Sequence, residues 1–134
     1  MDKLASNSKG TILIAEDDPV LSRILRGVLE HHSYKVVVAK TGHIALETFM
    51  RQPFDLVIMD YNLPGLDGME VTKAIRAFEN SKSPPTPIIA HTSDTRLTTL
   101  KNCLKSGMND YLMKPANQKD LMGVVGRWVN SPAV

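Results

Sequence analysis

Four apolar runs of this chain are followed at once by side chains that could carry out phosphoryl chemistry. These side chains are Glu16 with Asp17, Asp60, Thr92 and Lys114. In an open parallel α/β sheet, ligands bind beyond the carboxyl ends of the strands, so residues that follow several strands share one edge. Carboxylates, a hydroxyl and an ammonium at one edge indicate a site for a divalent cation and a phosphoryl group.

Asp60 is the candidate nucleophile. It follows the apolar run 56–59 directly, and a carboxylate at the end of a buried strand can attack phosphorus and become an aspartyl phosphate. Taken alone, Asp60 is explained more simply as a turn aspartate or a helix cap. The prediction therefore depends on the residues that accompany it.

Glu16 and Asp17 are the candidate metal ligands, together with Asp60. Carboxylates packed together repel one another unless a cation neutralises them. Magnesium prefers oxygen ligands, keeps several waters and needs only one or two carboxylates plus a phosphate, so Mg²⁺ is the expected cofactor. The alternative is an acid pair that stabilises a helix N-terminus, a role that Asp18 suits better.

Thr92 and Lys114 are the candidate phosphate-binding residues. The Lys114 ammonium could pair with Asp60 and then with a phosphate oxygen, acting as a point charge. The Thr92 hydroxyl could donate a hydrogen bond to the phosphoryl group. A solvated lysine and an ordinary strand threonine are the alternative explanations.

Alternating strands and amphipathic helices must position these residues. The expected strands are 11–15, 35–39, 55–59, 87–91 and 110–113, and the later helices are 68–79, 95–106 and 118–130. The first helix is capped by Asp18 with Pro19 in its first turn and ends at 31–33, while the second is capped by Thr41 and stopped by Pro53. The helix residues expected to face the core are Leu21, Ile24, Leu25, Val28, Leu29, Ile44, Ala45, Leu46, Phe49, Val71, Ala74, Ile75, Phe78, Leu121, Val124, Val125, Trp128 and Val129. Strands that are apolar throughout indicate a parallel sheet covered on both faces.

Length and composition predict a single domain over residues 11–131, preceded by a flexible tail over 1–10. The net charge of +2 comes without a basic block, so composition gives no sign of direct nucleic-acid binding. No apolar run approaches the roughly 18 residues of a membrane helix. The single cysteine, Cys103, fits a reducing compartment, and the expected location is cytoplasmic.

Four segments of the chain carry its most specific motifs. They are residues 14–19, 59–68, 91–93 and 111–115, which read IAEDDP, MDYNLPGLDG, HTS and YLMKP. With these segments the chain resembles the response-regulator receiver domains of two-component signalling, over about residues 10–130. The resemblance implies a flavodoxin-like (βα)5 fold, a doubly wound five-stranded parallel sheet with strand order 2-1-3-4-5.

The resemblance also implies roles for the acidic residues. Asp60 accepts a phosphoryl group from a histidine kinase or a histidine phosphotransfer protein. Glu16 and Asp17 hold Mg²⁺, partly through water, with Asp60, and Asn62 adds its backbone carbonyl. The implied activity is that of a signalling phosphoacceptor that phosphorylates and dephosphorylates itself, rather than that of a turnover enzyme.

The remaining implied roles belong to the switch. Thr92 and Lys114 bind phosphate oxygens, and the Lys114–Pro115 bond is cis. Tyr111 is the aromatic switch residue, which moves inward as Thr92 swings to the phosphate. A downstream effector would then bind the face of helix four, strand five and helix five, and a homodimer is left open.

Some positions depart from the commonest pattern of the family. Ser93 replaces a more frequent alanine, and His91 is unusual in the fourth strand, where a hydrogen-bonded core or interface histidine is a simpler explanation than a pH sensor. Asn62 and Asp94 occupy positions that tune phosphoryl lifetime. Residues 107–115 look most like receivers attached to hybrid sensor kinases, which usually exchange phosphate with a histidine phosphotransfer domain, although stand-alone receivers share this segment.

Three other functions compete with a phosphoacceptor. A pseudo-receiver would act as a phosphorylation-independent interaction module, although the full set of site residues argues against it. A magnesium-dependent hydrolase would need a general acid/base next to Asp60, where the chain has Asn62 two residues later. A flavodoxin-like cofactor binder would need amides and hydroxyls where Glu16 and Asp17 lie.

Overall fold

A five-stranded parallel sheet forms the centre of the molecule. The computed structural model describes residues 8–80 and 84–129. The strands are β1 (Thr11–Ala15), β2 (Lys35–Ala39), β3 (Leu56–Asp60), β4 (Ile88–Thr92) and β5 (Asp110–Met113). Their order is β2-β1-β3-β4-β5 with every pair parallel, which confirms the predicted fold. The direction of winding reverses between β1 and β3, where folds of this kind open a crevice for ligands.

Five helices cover the two faces of the sheet. They are α1 (Pro19–His31), α2 (Gly42–Arg51), α3 (Gly68–Glu79), α4 (Leu97–Ser106) and α5 (Gln118–Val129). Helices α1 and α5 pack on one face through residues such as Leu25 and Leu121, against Ile14 and Ile58. Helices α2, α3 and α4 pack on the other face. Every strand joins the next through a helix, as a parallel sheet requires.

The helix boundaries follow from local chemistry that the sequence already shows. The Asp18 carboxylate accepts hydrogen bonds from the N–H groups of Val20 and Leu21, at 2.9 and 3.3 Å, and so caps α1. The Thr41 hydroxyl oxygen caps α2 in the same way. Gly107 ends α4 in the left-handed conformation, with φ at 113°. These three predictions are confirmed.

Two of the strands that lead to the site lie one residue later in the chain than predicted. Strands β3 and β4 each start and end one residue later than predicted, so Asp60 and Thr92 are the last residues of their strands instead of the residues that follow them. In this register Asp60 pairs with His91, and Thr92 pairs with Met113. The shift fixes Asp60 and Thr92 within the sheet, where neighbouring strands restrain their backbones.

Three residues predicted to face the core do not. Ile24, Ile44 and Phe78 are 53%, 47% and 49% exposed, so that part of the prediction is wrong. A helix turns by about 100° per residue, so neighbouring residues point in different directions. Leu25 faces the sheet, and Ile24 therefore points away from it toward solvent. Phe78 lies in the last turn of α3 and contacts the ring of Phe49 edge-on, with the ring centroids 6.2 Å apart.

None of the described helices is long and apolar enough to cross a membrane. Within the predicted tail, the N–H of Lys9 donates to the Ser33 carbonyl at 2.9 Å, while residues 1–7 lie outside the described part of the chain. The end of the predicted domain, at residues 130–131, also lies outside it. The domain limits therefore stay predictions.

Candidate functional site

The carboxyl edge of the sheet brings side chains from four strands together. Glu16 follows β1, Asp60 ends β3, Thr92 ends β4 and Lys114 follows β5. Glu16, Asp60 and Thr92 are only 1%, 2% and 2% exposed, so their polar atoms depend on protein partners. Asp17 is exposed at the mouth of the same crevice.

Asp60 is held by the protein through one of its two carboxylate oxygens. Its Oδ1 accepts a hydrogen bond from Lys114 Nζ at 2.8 Å and another from the N–H of Asn62 at 3.1 Å. Burial raises the pKa of the Asp60 carboxyl, and the charge of Glu16 raises it further, while the hydrogen bond from Lys114 opposes both; the resulting pKa is about 6. The ionised carboxylate is therefore costly to hold here without a further cation.

Glu16 lies beside this pair. Its Oε2 accepts the N–H of Asp18 at 3.1 Å, and its Oε1 lies 3.5 Å from both Lys114 Nζ and His91 Nδ1. Burial favours the protonated acid, but the groups from His91, Asp18 and Lys114 that face the carboxylate outweigh it and lower the pKa of Glu16 to about 2. Glu16 is therefore ionised at neutral pH, next to Asp60.

Three carboxylates form a cluster with the donor set of a hard cation. One oxygen each from Glu16, Asp17 and Asp60 lies within 4.8 Å of the other two. Among the described residues, Lys114 is the one lysine or arginine within 4 Å of these carboxylates, with its Nζ 2.8 Å from Asp60 and 3.5 Å from Glu16. Oxygen donors with an exposed member fit Mg²⁺, which keeps part of its water shell. The cluster can hold a metal ion.

Thr92 is linked to the loop that leads into α4. Its Oγ1 accepts the N–H of Asp94 at 3.0 Å, and its carbonyl accepts the N–H of Lys114 at 2.8 Å. The carboxylate of Asp94 in turn accepts hydrogen bonds from Arg96 at 2.7 Å and from the Thr99 hydroxyl at 2.8 Å. The bond from Arg96 is the main reason that the pKa of Asp94 lies well below its usual range. A movement of Thr92 would therefore disturb the start of α4.

The backbone around Asp60 is packed too closely for a larger residue at position 68. A Cβ on Gly68 would collide with the carbonyl oxygen of Asp60, and the N–H of Gly68 donates to the Tyr61 carbonyl at 3.1 Å. Asp67 and Glu70 cap α3 reciprocally, which fixes this turn. The requirement for glycine here was not identified from the sequence, although Gly68 lies in the most specific motif.

Lys114 and Tyr111 leave the sheet in different directions. The Lys114–Pro115 peptide bond is cis, and the lysine ammonium reaches Asp60. Tyr111 points outward and is 43% exposed, beside a groove of about 450 Å³ between β5 and α5. The structure thus joins Glu16, Asp60 and Lys114 by direct contacts and leaves Tyr111 on the surface.

The sequence identified His91 as unusual but not as a neighbour of Glu16. The two residues belong to β4 and to the end of β1, which β3 separates in the sheet. Their proximity depends on strand order and on the length of both side chains. A polar residue at the penultimate position of a buried strand, next to the predicted acids, is the signal that could have pointed to it.

The fold and this crevice define a class of protein, and comparison with known proteins identifies it. The family model described as the response regulator receiver domain matches residues 12–126. The chain belongs to that family, and it is a receiver domain of the kind found in two-component phosphorelay systems.

The chain is similar to parts of much longer signalling proteins. It is 35% identical over 128 residues to the sensor histidine kinase GacS of Pseudomonas protegens, a match that covers 95% of this chain and 14% of GacS. The chain thus spans about a seventh of the length of that relative. The similarity to a sensor histidine kinase agrees with the resemblance of residues 107–115 to receivers attached to such kinases.

Two solved structures bear on the site. The receiver domain of the sensor histidine kinase PA1611 from Pseudomonas aeruginosa PAO1, with a magnesium ion coordinated in its active site cleft, has a TM-score of 0.82 and 38% identity, covering 91% of this chain and 98% of that one. The receiver domain of Ssk1 from Saccharomyces cerevisiae, in complex with the histidine phosphotransfer protein Ypd1, has a TM-score of 0.87 and 32% identity, covering 92% of this chain and 91% of that one.

Proposed function

We propose that Asp60 accepts a phosphoryl group from the phosphohistidine of a kinase or a phosphotransfer protein, in a reaction that depends on Mg²⁺. The observation that carries this proposal is the 2.8 Å contact between Lys114 Nζ and Asp60 Oδ1 within the cluster of three carboxylates. The magnesium-bound receiver from P. aeruginosa and the Ssk1–Ypd1 complex support the cofactor and the class of donor.

Asp60 presents one free oxygen for the reaction. In the part of the chain that the structure describes, both hydrogen bonds to its carboxylate end on Oδ1, from Lys114 and Asn62. Oδ2 attacks phosphorus, the phosphorus–nitrogen bond of the phosphohistidine breaks, and the leaving imidazole nitrogen keeps the bonding electrons and takes up a proton. The product is an acyl phosphate on Asp60.

The residues around Asp60 then hold the phosphoryl group. Glu16, Asp17 and Asp60, with the Asn62 carbonyl, would hold Mg²⁺, which when bound neutralises negative charge on the phosphoryl oxygens. Lys114 transfers its hydrogen bond from Asp60 to a phosphoryl oxygen. Loss of the acyl phosphate to water returns the domain to its resting state, so the domain acts as a timed signal.

The Thr92 hydroxyl has a proton to give. Its oxygen already accepts the N–H of Asp94, so the O–H can donate to a phosphoryl oxygen once Thr92 turns toward Asp60. The movement of Thr92 connects the chemistry to the loop before α4.

Phosphorylation would shift the face formed by α4, β5 and α5 between two states. Large apolar side chains are already exposed there: Leu97 at 66%, Leu104 at 52%, Tyr111 at 43% and Met113 at 45%. An inward turn of Tyr111 that follows Thr92 would change this face and its affinity for an effector. A second copy of the domain is the other occupant to test, by measuring the oligomeric state with and without beryllofluoride.

A pseudo-receiver that works by contact alone is the alternative function. It would bind its partner equally well whether or not Asp60 carries a phosphoryl group. The free, buried Cys103 agrees with a cytoplasmic setting for either function.

Transfer from a labelled donor tests the proposal. A histidine phosphotransfer protein carrying a radiolabelled phosphohistidine is mixed with the domain and Mg²⁺, and the label is followed by gel electrophoresis. We expect the label to move to the wild type and to Asp55→Asn, whose carboxylate lies at the opposite edge of the sheet and binds the N–H of Thr11. Asp60→Asn should take up no label; labelling of that variant would contradict the assignment.

A further inference from the structure

His91 is buried beneath the acidic cluster. It is 1% exposed, precedes Thr92 in β4 and pairs with Asp60 on β3. Side chains alternate along a strand, so His91 shares the face of the sheet with Ile89, whose neighbours belong to the core under α1 and α5. An imidazole in such a place needs a polar partner, because burial without one is costly.

His91 and Glu16 both have buried side-chain polar atoms that lack a hydrogen bond. Among the described residues, the buried side-chain atoms without a hydrogen-bond partner are Glu16 Oε1, His91 Nδ1 and His91 Nε2. Nδ1 and Oε1 lie 3.5 Å apart. A small rotation of either side chain closes this gap to a hydrogen bond.

We propose that His91 is a positioning residue that orients the Glu16 carboxylate for the cation, an inference that rests on the proposed function of the cluster. Oε2 of Glu16 is already fixed by the N–H of Asp18, at 3.1 Å. A hydrogen bond from His91 Nδ1–H to Oε1 fixes the other oxygen, which leaves the carboxylate one orientation. Groups that orient the ligands of a metal contribute to its affinity in this way.

The same contact determines what Lys114 does. Lys114 Nζ lies 3.5 Å from Glu16 Oε1 but 2.8 Å from Asp60 Oδ1. With His91 donating to Glu16, the ammonium stays on Asp60, where the phosphoryl group arrives. Without His91, Oε1 would keep Lys114 as its remaining donor, and the lysine would be drawn toward Glu16.

Three substitutions at position 91 separate a hydrogen-bond donor from a core filler. His91→Asn places an amide nitrogen near the position of Nδ1, His91→Gln extends its amide toward the position of Nε2, and His91→Leu has no donor. We expect Mg²⁺ to bind to the leucine and glutamine variants about tenfold more weakly than to the wild type. The asparagine variant should stay within about twofold of the wild type, because it keeps the donor in place.

Two measurements distinguish positioning from a general loss of structure. Isothermal titration calorimetry with Mg²⁺ alone gives the affinity without any phosphoryl transfer. The rate of phosphorylation by acetyl phosphate, measured over a range of Mg²⁺, gives the half-saturating concentration and the rate at saturation. In the leucine variant, we expect the half-saturating Mg²⁺ concentration to rise about tenfold and the rate at saturating Mg²⁺ to change less than about threefold.

The outcomes distinguish a failure of the role of His91 from a failure of the proposed function. If the wild type binds Mg²⁺ and all three variants bind it as tightly as the wild type does, the role of His91 is overturned and the proposed function stands. If the wild type itself binds no Mg²⁺, the metal-dependent function fails, and the role of His91 fails with it. If the leucine variant does not fold, asparagine and glutamine decide the matter: tighter binding by asparagine supports the proposal, and equal binding overturns it.

Discussion

Lys114 and Asp60, which are 54 positions apart in the sequence, form a partly buried ion pair with Nζ 2.8 Å from Oδ1. Glu16 lies on the other side of the ammonium at 3.5 Å. One positive charge therefore faces two buried carboxylates and, at the mouth, a third. This excess of negative charge favours the binding of a cation in the crevice.

Removal of the lysine should slow phosphorylation. A hydrogen bond to a charged group is worth about 1.5–3 kcal/mol, so Lys114→Met should lower the rate with acetyl phosphate by about 10- to 100-fold. Lys114→Arg should not restore the rate, because a planar guanidinium does not occupy the place of a compact ammonium. Lys119→Met, on α5, is the matched control. A Lys114→Met rate equal to that of the control would contradict the role of the pair.

Asp60→Asn should stabilise the domain at neutral pH in the presence of EDTA. The pKa of Asp60 is raised to about 6, from 3.8, so the folded state binds its proton more tightly than the unfolded state does. The contribution of Asp60 to the free energy of unfolding is thus fully present below about pH 4 and is lost as the pH rises through about 6. The gain at pH 7 should be on the order of 3 kcal/mol and should vanish below about pH 4.

Urea unfolding of both proteins at pH 7 and pH 4 measures this difference. The pKa of Glu16 is lowered to about 2, so Glu16 acts in the opposite direction and loses its contribution as pH falls. Glu16→Gln should therefore not reproduce the gain. An Asp60→Asn protein less stable than the wild type at pH 7 would show that the ion pair with Lys114 outweighs burial and repulsion.

Magnesium should stabilise the folded domain through the carboxylate cluster. At about 100 times its dissociation constant, a ligand that binds only the folded state adds about 2.7 kcal/mol to the free energy of unfolding. Asp17→Asn should lose most of this increment, while Asp55→Asn, at the opposite edge of the sheet, should keep it. Urea unfolding with Mg²⁺ and with EDTA gives the increment. Equal increments in the two variants would place the metal elsewhere.

Gly68→Ala should damage both the fold and the site. Its Cβ would meet the Asp60 carbonyl and the Met59 side chain, so the turn must move, at a cost of about 1–3 kcal/mol. Gly27→Ala is the control, since nothing lies within 4 Å of its Cβ on an exposed face of α1. That change should stabilise the domain by about 0.5–1 kcal/mol. Thermal unfolding separates them, and a neutral Gly68→Ala would mean that the turn adapts freely.

Much of this architecture is readable from the sequence, since it depends on local chemistry. Asp18 with Pro19 marks the start of α1 because a carboxylate satisfies free N–H groups and proline needs none. Gly107 marks the end of α4 because the left-handed conformation costs glycine nothing. The apolar strands with polar ends predicted the shared edge. The strand order came from the family resemblance, because periodicity holds no information about which strands are neighbours.

Other features depend on distances that only the folded chain sets. Ile24 and Ile44 belong to apolar patterns, yet the width of the helix stripe that reaches the sheet decides their exposure. The contact of His91 with Glu16 needs strand order, register and side-chain reach together. The close approach of Gly68 to Asp60 likewise follows from the path of a loop. Tertiary packing, rather than local preference, determines each of these.

The most direct test of the account is the intact mass of the protein after incubation with acetyl phosphate and Mg²⁺. We predict a gain of one phosphoryl group in the wild type, and no gain in Asp60→Asn or in the presence of EDTA. If the acyl phosphate hydrolyses too fast to be detected by mass, beryllofluoride binding, followed by NMR, replaces this measurement. A wild type that neither gains mass nor binds beryllofluoride, or an Asp60→Asn protein that gains the same mass, would contradict the claim that Asp60 is the phosphoacceptor.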